Sequence, residues 1–186
     1  SQFAPDSVRD EKLKVIRALD PLEPDDFVRG QYGSDKKGDS FLDQVEDKDS
    51  ITESFIAMKL AVSNWRWAGV PFYLRTGKRM AERRSEIVIQ FKCVPHNIFA
   101  QRGGKLNANK LVIRLQPEEY VRLMVMAKKP SMDRDGVTLR EVPLDLSLTQ
   151  AFSRARRRIA YERLLLDLID GDPTLFVRRD EVEAQW

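Results

Sequence analysis

Leu111-Val112-Ile113-Arg114-Leu115-Gln116 alternates with a period of two, placing Leu, Ile and Leu on one side of an extended chain and Val, Arg and Gln on the other. Only the first side is wholly apolar, so this strand belongs to a sheet with one covered face and one face free for a ligand or a partner. The same alternation places Phe72 to Leu74, Ile87 to Lys92 and Tyr120 to Ala127 on strands, and Thr138 to Leu146 adds a further one. Four strands in a row predict an antiparallel sheet. Gln101-Arg102-Gly103-Gly104-Lys105 reads as a turn within it.

The period changes to helical on either side of this region. Val8, Leu13, Val15, Ile16 and Leu19 predict an amphipathic helix from Asp6 to Leu19, capped by Asp6 or Ser7 and stopped before Pro21. Phe27 to Tyr32 is strand-like, and Gly33 to Ser40 is a polar loop. Ser50-Ile51-Thr52-Glu53 has the form of a capping box, and Ile51, Phe55, Met58 and Val62 follow at helical spacing, predicting a helix that ends near Asn64. Ala155 to Ile169 predicts another, closed by Gly171 and Asp172-Pro173, and Asp180 is placed to cap a last one. Helices and successive strands without βαβ alternation give an α+β class: a large, mostly antiparallel sheet with helices packed on one face.

A chain of 186 residues, 42% of them hydrophobic, suffices for one core. Lys and Arg number 32 against 29 Asp and Glu, and the resulting +3 is too slim to argue for nucleic acid. Cys93 is the single cysteine, which excludes an internal disulfide and suits a reducing compartment; we expect a cytoplasmic protein. No run approaches the roughly 18 apolar residues of a membrane span. The chain begins without Met and ends on Trp186, which we read as a segment of a longer protein.

The densest basic cluster is Arg75-Thr76-Gly77-Lys78-Arg79 with Arg83-Arg84, between two predicted strands. A glycine turn lets cations at strand ends converge on an anion or on sugar hydroxyls; the other reading is a solvated basic hairpin, and composition leaves both open. His96 is the single histidine, so no histidine cluster can hold a metal, and next to Cys93 and Pro95 its role reads as structural or superficial. Arg154 to Arg158 reads as a solvated helix face, and Trp65 and Trp67 as core packing at a helix-to-strand corner. No Gly-x-Gly-x-x-Gly follows a strand.

Asp49-Ser50-Ile51-Thr52, and then Asn64-Trp65-Arg66-Trp67-Ala68-Gly69-Val70-Pro71-Phe72-Tyr73-Leu74-Arg75-Thr76-Gly77-Lys78, resembles the segment of glucose-6-phosphate dehydrogenases that ends in their Arg-Thr-Gly-Lys motif. The likeness runs from Val8-Arg9-Asp10-Glu11-Lys12 through Asn109 to Pro117 and Ala160 to Leu164, and on to Phe176 to Glu181. It implies that residues 1–186 are part of a carboxy-terminal β+α domain that contacts substrate and dimerises through its sheet, the amino-terminal Rossmann domain for catalytic NADP lying outside this sequence. It also implies that Lys78, Arg83 and Gln116 approach glucose 6-phosphate, with a homodimer or a dimer of dimers as the assembly. Arg75, Arg84 and Arg114 match positions that hold a second, structural NADP in some members, but Val88 and Arg122 replace polar or aromatic partners of that site. The family's histidine base has no match here, so the resemblance assigns this segment no catalytic residue, no metal and no turnover of its own. From a different class, the rival reading is a noncatalytic module that binds nucleic acid through its basic turn and Arg-rich helix.

Overall fold

The computed structural model describes residues 4–36, 38–96, 106–130, 138–147, 151 and 160–186. The turn expected at Gln101 to Lys105, the Arg154 to Arg158 run and the start of the helix expected from Ala155 lie outside these residues. The chain divides into two compact units, Ser1–Met80 with Arg157–Trp186, and Ala81–Arg156. Both are built on antiparallel sheets, and with four helices among the described residues of the first unit the class is α+β.

In the first unit, α1 (Pro5–Arg17) starts at Pro5, whose ring fixes a helical φ where no donor is required, and Ala4 rather than Asp6 or Ser7 is the N-cap. Asp6 sits instead in the first turn, where a carboxylate suits the positive end of the helix. Leu13 is its buried residue. A 3-10 turn at Pro24–Asp26 leads into β1 (Phe27–Gly30), and α2 (Phe41–Gln44) is one turn closed by a Ser40–Asp43 capping box. Strands β2 (Phe55–Leu60) and β3 (Phe72–Gly77) complete a three-stranded sheet in the order β1-β2-β3, with Phe27 opposite Met58 and Met58 opposite Leu74.

The helix expected from Ser50 to Asn64 is therefore a strand. Gln31 Nε2 donates to the carbonyls of Ser50 and Thr52 at 2.8 and 2.9 Å, which holds the supposed first turn extended. Ser54 N–H then donates to Gly30 O at 2.9 Å. Ile51, the first residue of the supposed buried stripe, is 90% exposed. As the central strand, β2 is half-covered on both faces, so its apolar run shows no alternation by which sequence could distinguish it from a helix. Asn64 Oδ1 accepts from the Arg66 and Trp67 N–H groups and turns the chain toward β3. Trp67 packs edge-to-face on Phe72 with ring centroids 5.2 Å apart, whereas Trp65, also expected in the core, is fully exposed.

Two further helices close this unit. In α3 (Ala160–Asp170), Arg163 pairs with the buried Asp167 at 2.8 Å, and Gly171 follows at φ +71°, the left-handed stop anticipated from the sequence. The N-cap of α4 (Arg179–Gln185) is Arg178, and Asp180, expected in that role, lies in the first turn.

The second unit is a four-stranded meander of β4 (Ser85–Gln90), β5 (Lys110–Gln116), β6 (Tyr120–Lys128) and β7 (Leu139–Ser147). Register sorts its faces. Ile87, Ile113, Val121 and Leu146 form one cross-strand row, and Ile89, Leu111, Leu123 and Leu144 the next, on a single apolar face. The opposite face carries Glu86, Arg114 and Tyr120 in one row and Val88, Val112, Arg122 and Asp145 in another. The expected single sheet is thus divided in two: β3 pairs with β2, the strand that reads as helix in sequence, and not with β4. On the apolar face Ile87 and Leu146 are 50% and 56% exposed.

Candidate functional site

The basic turn follows directly from the end of β3. Gly77 packs so closely that a Cβ there would lie 2.8 Å from Phe55 Cδ2 and 3.3 Å from Phe55 Cα, which explains the glycine by contact rather than by φ. Lys78 N–H donates to Ser54 O at 2.8 Å, extending the ladder between β2 and β3 by one bond. Its side chain is exposed and has no partner among the described residues. Arg79 adopts a left-handed φ of +52°. Its guanidinium lies 4.8 Å over the Tyr32 ring, and Nη1 donates to the carbonyl of Asp39. Arg75, opposite Ala57 on β3, is exposed.

Arg83, Arg84, Arg114 and Gln116 belong to the second unit. Arg83 is exposed without a partner among the described residues. Arg84 is not free: its Nε lies 3.4 Å from Glu86 Oε1, and its Nη1 3.6 Å from Glu82 Oε2. Glu86 also takes Arg114, whose Nη2 and Nε approach Oε2 at 2.9 and 3.1 Å. Two guanidinium groups approach the Tyr120 ring, Arg114 at 5.2 Å and Arg122 at 4.9 Å from its centroid. Arg122 in turn forms a two-pronged pair with Asp145 at 2.5 and 3.1 Å, which raises its pKa above the ordinary arginine value. Gln116 is exposed at the end of β5, opposite Ser85.

The predicted cations therefore fall into two kinds. Lys78, Arg83 and Arg75 have no side-chain partner among the described residues, whereas Arg84 and Arg114 already face a carboxylate. The sequence reading missed Tyr32, Asp39, Glu86, Tyr120 and Asp145, all brought to these cations by cross-strand register or by a loop distant in sequence. Among the described residues no cluster of His, Cys, Asp and Glu could hold a metal, and no helix is long and apolar enough to cross a membrane.

The first unit thus presents, on a glycine turn at the end of β3, an exposed lysine without a partner among the described residues. The family model described as the glucose-6-phosphate dehydrogenase C-terminal domain matches residues 1–186, and the chain belongs to that family. It is 57% identical over 188 residues to the glucose-6-phosphate 1-dehydrogenase of Zymomonas mobilis, covering 97% of this chain and 39% of that protein. The cytoplasmic isoform of the Solanum tuberosum enzyme is 42% identical over 182 residues, covering 98% of this chain and 34% of that one. A solved structure of a glucose-6-phosphate dehydrogenase in complex with its substrate glucose 6-phosphate superposes with a TM-score of 0.87 at 37% identity, covering 100% of this chain and 37% of that one. The chain thus spans well under half the length of the relatives it matches.

Proposed function

We propose that this chain is part of an oxidoreductase that oxidises the C1 hydroxyl of glucose 6-phosphate to the lactone with NADP, the first step of the oxidative pentose phosphate route. The carrying observation is Lys78: exposed, unpartnered among the described residues, and fixed by its backbone at the end of β3. Support comes from the substrate named in the complex that this chain resembles. In this reading Lys78 donates to an oxygen of the sugar phosphate, Arg83 adds a second positive charge, and Gln116 supplies a neutral hydrogen-bonding group. NADP supplies the hydride acceptor. No nucleotide loop is present in this sequence, so the proposal places the bound cofactor and the base that takes the C1 proton outside residues 1–186. It does not extend to a second NADP, because Arg84 and Arg114 are already engaged by Glu86.

A homodimer or dimer of dimers through the second unit's sheet completes the reading, as does a cytoplasmic location, supported by the name of the potato relative. The test is Lys78→Ala in a full-length dehydrogenase carrying this chain. Loss of a charge-assisted hydrogen bond should lower kcat/KM for glucose 6-phosphate by about one to two decades while thermal stability is retained. An unchanged kcat/KM would remove Lys78 from the substrate site. The purified 186-residue chain should form no NADPH from glucose 6-phosphate.

A further inference from the structure

Lys78 is followed by a residue whose conformation needs an explanation. A non-glycine side chain at φ +52° is disfavoured by contact between Cβ and the backbone, and it persists only where surrounding interactions hold it. At Arg79 those interactions converge from the loop after β1. Nη1 donates to Asp39 O, and the guanidinium plane covers Tyr32 at 4.8 Å. A Cβ at Gly38 would fall on Arg79 Nη2, so the glycine leaves the space the guanidinium occupies. Gly38 is itself anchored by a reciprocal pair of backbone bonds with Asp35, at 3.0 and 3.2 Å. Tyr32 is anchored as well: its N–H donates to Ser54 Oγ at 3.0 Å, and its hydroxyl donates to Gln44 at 2.9 Å. Ser54 is the residue whose carbonyl holds Lys78 N–H.

The three residues of the turn are thus fixed by three different means: Gly77 by its contact with Phe55, Lys78 by a backbone bond, and Arg79 by its side chain. Of the two adjacent cations, one is consumed in fixing the backbone and the other is left free. We infer that Arg79 is a positioning residue, latched onto Tyr32 and Asp39, which sets the direction in which Lys78 meets an anionic sugar phosphate. Without the latch no side-chain contact among the described residues holds the turn at positive φ, and the residue at this position samples other conformations as well. The chain leaving Lys78 then changes course, so that the lysine spends part of its time away from the binding direction, and apparent affinity falls with the competent fraction. This inference rests on Lys78 as the substrate cation.

The test is steady-state kinetics with glucose 6-phosphate on the full-length dehydrogenase carrying this chain. Arg79→Gly retains access to positive φ and removes the latch; it should raise KM about tenfold and leave kcat within about twofold. Arg79→Lys, which can still place a cation over the ring and donate to Asp39 O, should recover most of the affinity. Tyr32→Leu should raise KM as Arg79→Gly does, and Tyr32→Phe, which keeps the ring, should not. The double variant Arg79→Gly/Tyr32→Leu should be no worse than either single change, since both break one latch. If Arg79→Gly fails to fold, the Tyr32 pair decides the question alone. A KM raised by Arg79→Gly but untouched by Tyr32→Leu would overturn the inference, because Arg79 would then be contacting the anion directly. A raised KM for Lys78→Ala with normal values for Arg79→Gly and Tyr32→Leu would overturn it too, leaving the substrate reading intact. Normal KM in Lys78→Ala would overturn both.

Discussion

Arg178 Nη2 donates to Asp10 Oδ1 at 2.8 Å, tying the start of α4 to α1 across 168 positions of sequence. The same guanidinium grips Asp180 through two bonds of 2.6 and 2.9 Å and approaches Asp6 at 4.0 Å, while Arg9 donates to Phe176 O from the facing helix. One arginine thus joins the two ends of the first unit. Replacing it with alanine leaves Asp10 and Asp180 without their shared cation. We expect Arg178→Ala to lower the midpoint of thermal unfolding, and Arg178→Lys to recover only part, because an ammonium cannot reproduce the two-pronged contact with Asp180. An unchanged midpoint would mean that the network is idle in solution.

Arg178 also makes a pH prediction. Its hydrogen bonds hold the Asp180 carboxyl below the usual carboxylate range, and Ser40 and Thr174 do the same for Asp43 and Asp172. Since each folded carboxyl binds its proton less readily than the unfolded one, the stabilisation is fully present above the unfolded pKa and is lost as pH falls through the folded one. Stability should therefore decline on the acid side of the carboxylate range and be flat toward neutrality. Asp180→Asn should make urea unfolding midpoints less dependent on pH in that acid window; an identical slope would remove Asp180 as a contributor.

Gly77→Ala should destabilise the protein by about 1–3 kcal/mol, the usual range for forcing a methyl into occupied space. Gly77 is not among the positive-φ glycines, so the backbone accepts alanine and the cost arises from the Phe55 ring at 2.8 Å and Met80 Sδ at 3.3 Å. Phe55→Leu in the same chain should recover part of the loss, measurable as a non-additive pair in denaturant unfolding. Additive effects would place the strain elsewhere.

How much of this was legible in sequence depends on how many faces a strand exposes. Strands β5 and β6 lie in a sheet with one apolar and one polar face, and their alternation gave them away within a residue or two of their ends. The central strand β2 has both faces half-covered, and a serine-led acidic tetrapeptide before it imitates a helix start. Gln31, the residue that holds that tetrapeptide extended, lies about two dozen positions upstream of β2, beyond any local pattern. For the site, Lys78 and Arg83 were legible as cations at a glycine turn. The Tyr32–Arg79 contact and the Glu86–Arg114 pair were not, because each depends on a register or loop path that single-sequence periodicity does not encode.

Gln31→Leu tests that reading of β2. The change keeps the volume but removes both donors to the Ser50 and Thr52 carbonyls, a loss of about 1–3 kcal/mol for two bonds of ordinary strength. Amide exchange should accelerate around residues 52–54 ahead of the rest of the sheet. Uniform acceleration would show that the pair of bonds stabilises the unit as a whole and not this approach locally.

The two faces of the second unit's sheet make opposite predictions for self-association of the 186-residue chain. The sequence alone points to the face of Val112, Arg114 and Gln116, on the argument that Leu111, Ile113 and Leu115 are covered by helices and that Val112 and Met124 leave the second face too apolar to be plainly solvent-facing. In the structure the Arg114 face carries two internal ion pairs, Arg114 with Glu86 and Arg122 with Asp145, beside Val88 and Val112, whereas the other face is apolar throughout its two central rows, with Leu115 and Leu144 49% and 56% exposed. A contiguous apolar patch of this kind drives association irrespective of charge pairing. For the isolated chain we therefore expect association through the Ile113 face. Light scattering across a concentration series should show Leu146→Asp shifting the chain toward monomer. Arg122→Glu, which sets two carboxylates face to face at Asp145 on the other side, should leave the associated mass unchanged. A monomer produced by Arg122→Glu and not by Leu146→Asp would return the contact to the Arg114 face, and with it the dimer that the sequence implies.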